Sequence, residues 1–268
     1  MRESFKDFKL KLLIFDLDQT LLTKDKIISP LTYNILKEFQ NNEIYLGINT
    51  ARNYFGSKRI IDLLNPEVVI TSCGALITYK DKDIYESYFT SEETKYILDI
   101  IREILIDEGI LTVATRNSFY MQGLSIDETI EAWEASIIKD LSDFEEESLM
   151  IQFKCENKDK ADIISKKLNK YEISKYSASP WYRISNINNS KGNALNILEE
   201  LTEIKKENIM AFGDDITDLE MLKNVKYGIA MDNSIKEIKD VADIIIGNND
   251  EEAIYYFLNE YKNELLKR

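Results

Sequence analysis

Histidine is absent from the 268 residues of this sequence. Its absence excludes a catalytic triad with a histidine base, a histidine-ligated zinc ion and a phosphohistidine intermediate, because each of these needs an imidazole ring. An active site in this chain is therefore expected to use carboxylates, a lysine and a metal ion.

Cysteine is also scarce, since only Cys73 and Cys155 occur. They form no CxxC pair or other metal-ligand spacing, which favours a reducing compartment over a disulfide framework. The first seven residues carry mixed charges and no apolar stretch of the kind found in signal peptides. No apolar run approaches the ~18 residues needed to cross a bilayer. We therefore expect a cytoplasmic protein with no membrane partner.

Positive charge is in deficit, with 34 lysines and arginines against 48 acidic residues and a formal net charge of −14. This balance argues against nucleic acid or an anionic membrane as the main partner, because both attract basic surfaces. The simplest interpretation of the acidity is a solvated surface. A small anionic substrate would need a site that is locally positive or holds a metal ion.

Short apolar runs alternate with helical patterns at both ends of the chain. Ser29-Pro30 predicts a helix start, with serine as the N-cap and proline at the first helical position. The alternation is typical of βαβ units, so the sequence predicts an α/β fold with a Rossmann-like, doubly wound parallel sheet. Strands are predicted at Leu12–Phe15, 44–48, Val68–Thr71 and 209–212.

The middle of the chain has a different pattern and carries no acid pairs at strand ends. It predicts an α+β cap domain inserted into the first domain, as close-lying insert termini allow. The predicted division is a core segment over 1–79, a cap over 80–181 and a second core segment over 182–268. Within the insert, helices are predicted at 92–105, 127–138 and 158–168, and strands at Leu111–Ala114 and 149–155.

Polar side chains of particular kinds follow the predicted core strands. Asp16 and Asp18 come directly after the first strand, and Thr50 follows the second. Carboxyl ends of strands in an open α/β sheet are where ligands bind. After the insert, Lys191 opens a helix, and an acidic cluster lies where a later strand meets a helix, at Asp214, Asp215 and Asp218.

Gathering these carboxylates requires a cation. Two of them ~4 Å apart repel by about 4 kcal/mol at an effective dielectric constant of about 20. Oxygen ligands favour a hard cation that keeps several waters, so Mg²⁺ is the expected cofactor. In this interpretation Asp16 is the nucleophile that forms an aspartyl-phosphate, and Asp18 is the general acid and then the general base. Thr50 binds phosphate oxygens, and Lys191 stabilises the charge on the phosphoryl group.

Four segments of the chain resemble, in sequence order, the four motifs of the haloacid dehalogenase superfamily. Asp-Leu-Asp-Gln-Thr at 16–20 is similar to the DxDxT first motif, and Thr50, Lys191 and the segment 213–218 fit the second, third and fourth. The insert lies where a C2-type cap lies. Further stretches look like the Cof-type branch of the superfamily, namely those at 71–77, 191–195, 228–234 and 249–254.

This resemblance implies a Mg²⁺-dependent phosphatase that acts on small phosphorylated metabolites, often sugar phosphates, beneath a cap. It implies that Asp16 and Asp214 bind the metal ion through their side chains and that Asp18 binds it through its backbone carbonyl. Asp218 would lie in or next to the first coordination shell of the ion. Thr217 would contact substrate or phosphate.

Several positions depart from the family pattern and bear on specificity. Gln19 stands where glycine is common, and Thr217 and Cys73 stand where asparagine is common. Asp232 stands in place of a common glycine, and its charge could weaken phosphate binding. The aromatic residues of the insert, such as Phe119 and Tyr120, are interpreted as core rather than pocket lining.

Two alternatives to hydrolysis are open at this point. The same site could transfer the phosphoryl group to a second substrate, as in capped phosphomutases. The chain could also be a non-catalytic binding protein on this scaffold, although the intact set of site residues argues against it.

Overall fold

The computed structural model describes residues 5–106, 110–123, 136–138, 140–176 and 179–267. The chain divides into two compact units. The first comprises 1–51, 60–85 and 190–268, and the second comprises 52–59 and 86–189.

The first unit is built on an eight-stranded sheet. Its strands, numbered along the whole chain, are β1 (Leu12–Phe15), β2 (Tyr45–Asn49), β3 (Val68–Thr71), β4 (Leu76–Tyr79), β5 (Lys82–Glu86), β12 (Ile209–Gly213), β13 (Tyr227–Met231) and β14 (Ile244–Ile246). They lie side by side in the order β14-β13-β12-β1-β2-β3-β4-β5. The strands from β14 to β3 are mutually parallel, and β4 runs antiparallel to β3.

Helices cover both faces of this sheet. Leu13 and Phe15 of β1 belong to a core on one face, which includes apolar residues of the helices Pro30–Asn41 and Ala253–Leu265. Leu12 and Ile14 belong to a core on the other face with residues of the helix Lys191–Leu201. Because alternate residues of a strand point to opposite faces, a central strand buried on both sides is apolar throughout. The predicted α/β fold with a doubly wound parallel sheet is confirmed.

Among the described residues outside the insert, the other helical elements are short except for one. The helix Tyr54–Leu64 follows β2, and the short helices Leu219–Lys223 and Lys236–Lys239 flank β13. The 3₁₀ turns in the part of the chain that the structure describes are Ser72–Gly74, Lys206–Asn208, Ile216–Asp218 and Asn249–Glu251.

The first long helix begins as its sequence predicts. The Ser29 side chain accepts a hydrogen bond from the backbone N–H of Thr32, and Pro30 occupies the first helical position. The serine therefore satisfies one of the N–H groups that a helix start leaves without an intrahelical partner.

The second unit has a six-stranded sheet, whose strands are β6 (Leu111–Ala114), β7 (Phe119–Gln122), β8 (Ser136–Ile138), β9 (Met150–Lys154), β10 (Glu172–Lys175) and β11 (Trp181–Ser185). They lie in the order β10-β11-β9-β6-β7-β8. Among the described residues of this unit, the helices Ser91–Leu105 and Lys158–Lys167 pack with one face of the sheet in a common apolar core. This is an α+β arrangement inserted between segments of the first unit, as predicted.

One predicted helix of the insert is wrong over its last turn. Residues 127–135 of the prediction lie outside the described residues, but 136–138 form strand β8, parallel to β7. Two consecutive isoleucines, Ile137 and Ile138, favour the extended backbone that this pairing requires. The predicted domain boundaries after residues 79 and 181 stay a proposal.

No helix among the described residues has both the length and the apolar character required to cross a bilayer.

Gly192 lies where two helices approach each other closely. A Cβ atom placed on Gly192 would lie 2.3 Å from the Cβ of Glu220 on the helix Leu219–Lys223. We therefore expect Gly192→Ala to lower the free energy of unfolding by about 1–3 kcal/mol, because the helices must separate. Chemical denaturation measures this change. Glu200→Ala, at an exposed position on the same helix as Gly192, is the control, and equal stabilities of the two variants would contradict the prediction.

Candidate active site

Three buried carboxylates meet at the carboxyl ends of neighbouring strands. β1 and β12 are parallel and in register, with Phe15 opposite Phe212. Asp16 therefore emerges beside the turn that holds Asp214 and Asp218, although about 200 residues separate them along the chain. One oxygen from each of these three carboxylates lies within 4.8 Å of the others. The structure thus brings together Asp16, Asp214 and Asp218, three of the four acidic residues that the sequence predicts around the metal ion.

The Lys191 ammonium group lies between two of these carboxylates. Its Nζ donates to Asp16 Oδ1 at 2.5 Å and to Asp218 Oδ1 at 2.6 Å, and the lysine side chain is 2% exposed. Lys191 begins the helix Lys191–Leu201, and its backbone carbonyl accepts a hydrogen bond of 2.9 Å from the Asn49 side chain. A residue at the end of β2 thus fixes the helix start that supplies the lysine.

Asp218 uses both carboxylate oxygens within the protein. Its Oδ1 binds Lys191, and its Oδ2 accepts from the backbone N–H groups of Asp214 and Asp215 at 3.0 and 3.1 Å. A Cβ atom on Gly213 would lie 2.6 Å from the Cβ of Asp218, so this turn needs a glycine. Asp218 therefore shapes the turn that carries Asp214.

Thr20 is a site residue to which sequence reasoning assigned no role. Its hydroxyl donates to Asp214 Oδ1 at 2.6 Å, and both side chains are buried. Thr20 is the fifth residue of the Asp-Leu-Asp-Gln-Thr segment, so its place in the motif was the available signal. The hydrogen bond connects the loop after β1 to the turn after β12.

Asp18 lies outside the buried acidic group. Its carboxylate binds Lys26 Nζ at 2.7 Å, and its side chain is 38% exposed. Thr50 is buried; its N–H donates to the Ile70 carbonyl, and its own carbonyl accepts from Cys73 N–H. Thr217 is half-buried in the same 3₁₀ turn as Asp218.

The departures from the family pattern have specific structural settings. Gln19 and Cys73 both adopt left-handed backbone conformations, with φ of 61° and 53°, a region that L-residues other than asparagine and aspartate rarely occupy. Asp232 forms an ion pair with Lys239 at 3.0 Å. That pairing offsets the negative charge that the sequence places there.

Burial dominates the electrostatics of the cluster. It raises the pKa of Asp16 well above its ordinary value, and the Lys191 ammonium opposes this rise. It likewise raises the pKa of Asp214 to about 7, with the Thr20 hydrogen bond opposing. Burial alone would lower the pKa of Lys191, but the Asp16 and Asp218 carboxylates outweigh it and raise the pKa. A single ammonium among three buried carboxylates leaves a deficit of positive charge.

This deficit fits a divalent cation. The donor set consists only of oxygens, which suits Mg²⁺ better than a softer metal. Among the described residues, no hydrogen bond is made to Oδ2 of Asp16 or to Oδ2 of Asp214. These two carboxylates are therefore the ones available to hold the ion.

Comparison with known proteins gives a consistent result over most of the chain. Residues 13–258 match the family model of the haloacid dehalogenase-like hydrolases. A 5-amino-6-(5-phospho-D-ribitylamino)uracil phosphatase of Bacillus subtilis is 26% identical over 263 residues, which cover 93% of this chain and 97% of that protein. An HMP-PP phosphatase of Serratia proteamaculans is 24% identical over 272 residues, covering 94% and 95%.

Solved structures share the architecture. A haloacid dehalogenase-like hydrolase from Bacteroides thetaiotaomicron superposes with a TM-score of 0.82 at 20% identity, over 94% of this chain and 99% of that one. A protein from Streptococcus mutans superposes with a TM-score of 0.81 at 22% identity, over 95% and 99%. At these identities the likeness shows a common fold.

The raised pKa of Asp214 predicts how stability depends on pH. The value is about 7 in the folded protein against an ordinary 3.8. The folded state therefore holds this proton more tightly than the unfolded chain does, and the free energy of unfolding due to Asp214 falls as the pH rises between these values. Mg²⁺ should accordingly raise the midpoint of thermal unfolding more at about pH 7 than at about pH 5.

Two substitutions test the assignment of this effect to Asp214. Asp214→Asn cannot ionise, so it should remove most of the Mg²⁺-induced shift and the part of the pH dependence that is due to Asp214, leaving the part due to Asp16. Asp25→Asn, an exposed position, should behave as the wild type does. Calorimetric scans with and without Mg²⁺ measure both, and an unchanged Mg²⁺ shift in Asp214→Asn would exclude this carboxylate as a ligand.

Proposed function

The chain belongs to the haloacid dehalogenase-like hydrolases and is a phosphoric monoester hydrolase of that family, and we propose that it works through an aspartyl-phosphate on Asp16 with Mg²⁺ as cofactor. The resemblance to the family is thereby confirmed. The observation that carries the mechanism is the buried contact of Asp16 with Lys191, beside Asp214 and Asp218.

In the first step, an oxygen of the Asp16 carboxylate attacks phosphorus and the P–O bond to the leaving alcohol breaks. The alkoxide takes a proton from the carboxyl group of Asp18. In the second step, Asp18 removes a proton from water, and the water oxygen attacks the phosphorus of the aspartyl-phosphate. The bond between phosphorus and the Asp16 oxygen breaks, which releases inorganic phosphate and restores the Asp16 carboxylate. The partly exposed carboxylate of Asp18, in contact with Lys26, is on the solvent-accessible side of this loop.

Lys191 serves two purposes in this proposal. Its ammonium group favours the ionised form of Asp16, which burial otherwise opposes. It also supplies positive charge close to the carboxylate that receives the phosphoryl group. Asp218 also accepts a hydrogen bond from this ammonium group, at 2.6 Å.

Asp16, Asp214 and the backbone carbonyl of Asp18 would hold the Mg²⁺ ion, with Asp218 next to it because both of its oxygens are engaged. When bound, the ion supplies positive charge that lowers the carboxylate pKa values and stabilises the phosphoryl group in the transition state. Thr50 and Thr217 are proposed to bind phosphate oxygens.

We propose that the substrate is a small phosphorylated metabolite, and specifically a sugar phosphate. The ribityl phosphate group in the name of the Bacillus subtilis relative supports this class of substrate. The chain's net charge of −14 makes the lysine and the cation necessary for receiving such an anion. A cytoplasmic location stays a prediction.

Substitution of the two motif aspartates separates the two steps. With an aryl phosphate, Asp16→Asn should reduce kcat by on the order of 10³-fold or more, because the nucleophile is lost. Asp18→Asn should slow turnover while a phosphorylated protein accumulates, since an aryl leaving group needs little acid catalysis but the water still needs a base. Phosphate release and intact-protein mass measure these outcomes.

Asp25→Asn, at an exposed position in the same loop, is the matched control and should keep wild-type activity. Wild-type turnover by Asp16→Asn in saturating Mg²⁺ would rule out the covalent mechanism.

Product analysis distinguishes hydrolysis from phosphotransfer. With a sugar monophosphate, we expect inorganic phosphate and the free sugar in equal amounts. Accumulation of an isomeric sugar phosphate, detected by chromatography, would instead show a phosphomutase.

A further inference from the structure

We propose that Asn233 and Asn249 are positioning residues for this reaction, which hold the loop that carries Asp18 and Thr20 in its working conformation. The inference rests on the proposed function. Neither asparagine belongs to the cluster of carboxylates and lysine, and each acts through the backbone of that loop.

Asn233 connects two chain segments through its side-chain amide. Its Nδ2 donates to the Gln19 carbonyl at 2.8 Å, and its Oδ1 accepts from the backbone N–H of Asn249 at 3.1 Å. Gln19 lies between Asp18 and Thr20, so the carbonyl that Asn233 binds is part of the peptide group leading into Thr20. Fixing that peptide plane fixes the direction from which the Thr20 hydroxyl approaches Asp214.

Asn249 and its neighbour hold the same loop at two further points. The Asn249 Nδ2 donates to the Leu22 carbonyl at 2.8 Å, and Asp250 Oδ1 accepts from Lys24 N–H at 2.8 Å. Three hydrogen bonds from the segments after β13 and β14 therefore contact the loop within six residues, from Gln19 to Lys24.

The loop needs external support because its own backbone is strained. Gln19 has a φ of 61°, in the left-handed region that costs a residue other than glycine conformational energy. Internal hydrogen bonds, Leu21 N–H to the Asp16 carbonyl and Leu22 N–H to the Leu17 carbonyl, close the turn. They leave the Gln19 and Leu22 carbonyls to bind the two asparagines.

The turn that holds Asn233 also contacts the Asp214 strand end. Ile235 N–H donates to the Asp214 carbonyl at 3.2 Å, and Ser234 Oγ donates to the Gly213 carbonyl at 3.4 Å. One turn after β13 thus binds both the loop with Asp18 and Thr20 and the segment with Asp214. This turn therefore fixes the position of the loop with Asp18 and Thr20 relative to the segment with Asp214.

Loss of this support should affect the reaction more than the binding of substrate. A displacement of about 1 Å in a catalytic group can cost about 100-fold in rate. We expect Asn233→Asp, which keeps the acceptor for Asn249 but sets an oxygen against the Gln19 carbonyl, to lower kcat by about 10- to 100-fold. KM for an aryl phosphate should change by less than about 3-fold.

Inhibition constants distinguish a positioning role from a purely structural one, because loss of stability alone would not change the affinity for one inhibitor relative to another. Orthovanadate can take up the trigonal geometry of the transferring phosphoryl group, whereas inorganic phosphate stays tetrahedral. In Asn233→Asp the inhibition constant of orthovanadate should rise in proportion to the loss of kcat/KM, while that of inorganic phosphate stays within about 3-fold of the wild type.

Asn249→Ala is the second variant and carries the test if Asn233→Asp does not fold. It keeps the backbone N–H bond to Asn233 and removes only the bond to Leu22, so a smaller loss of kcat in the same direction is expected. Asn42→Ala is the matched control, because the Asn42 side chain donates to the Glu38 carbonyl at the same 2.8 Å on a surface helix.

The possible outcomes separate this inference from the function on which it rests. If the wild type releases no phosphate from any monoester, the proposed function fails. If the wild type is active and both Asn233→Asp and Asn249→Ala match Asn42→Ala in kcat and in orthovanadate inhibition, the positioning role is overturned, whatever their thermal stabilities.

Discussion

The ammonium group of Lys191, buried between Asp16 and Asp218, is the interaction on which the rest of the site depends. Removing one member of such a group would leave an uncompensated buried charge, which proteins do not tolerate well. The lysine is held by a helix start that Asn49 fixes from β2, and Asp218 is held by two backbone N–H groups of its own turn. Parts of three separate chain segments are therefore needed to place one positive charge.

The parallel sheet provides the frame in which these segments meet. Adjacent parallel strands end at the same edge of the sheet, so the pairing of β1 with β12 is enough to make the residues that follow them neighbours. Burial of the carboxylates disfavours their ionised form and raises the pKa of Asp214 to about 7. The three buried carboxylates carry more negative charge than the single Lys191 ammonium can balance, and this imbalance is the physical basis for proposing a cation in the site.

Much of this could be predicted from the sequence because the core strands carry strong local signals. Leu12–Phe15 and Val68–Thr71 are short, apolar and followed by polar residues, and both strands have the predicted bounds. The order of the four motifs likewise predicted that Asp16, Asp214 and Asp218 converge, but the carboxylate of Asp18, predicted with them, lies outside the group. Ser136–Ile138 was mistaken for the end of a helix, because its extended backbone depends on pairing with a strand distant in space.

Hydrogen bonds to backbone carbonyls were beyond prediction. The contacts of Asn233 and Asn249 with the loop after β1 depend on where carbonyl groups point, and no pattern of side chains encodes that direction. The exposure of Asp18 was equally hidden, because it follows from a turn that directs one carboxylate inward at Asp16 and the next toward Lys26. The catalytic roles assigned to Asp16, Asp18, Thr50 and Thr217 stay predictions.

The pairing of β1 with β12 also bears on how the protein matures on the ribosome. The two strands are nearly 200 residues apart, and the inserted unit is synthesised between them. A nascent chain can therefore complete the insert's own sheet before the strand that brings Asp214 has been translated. Until then β1 presents an unpaired apolar edge beside its two aspartates, so the interval before β12 emerges is the period in which this chain is most exposed to misassembly.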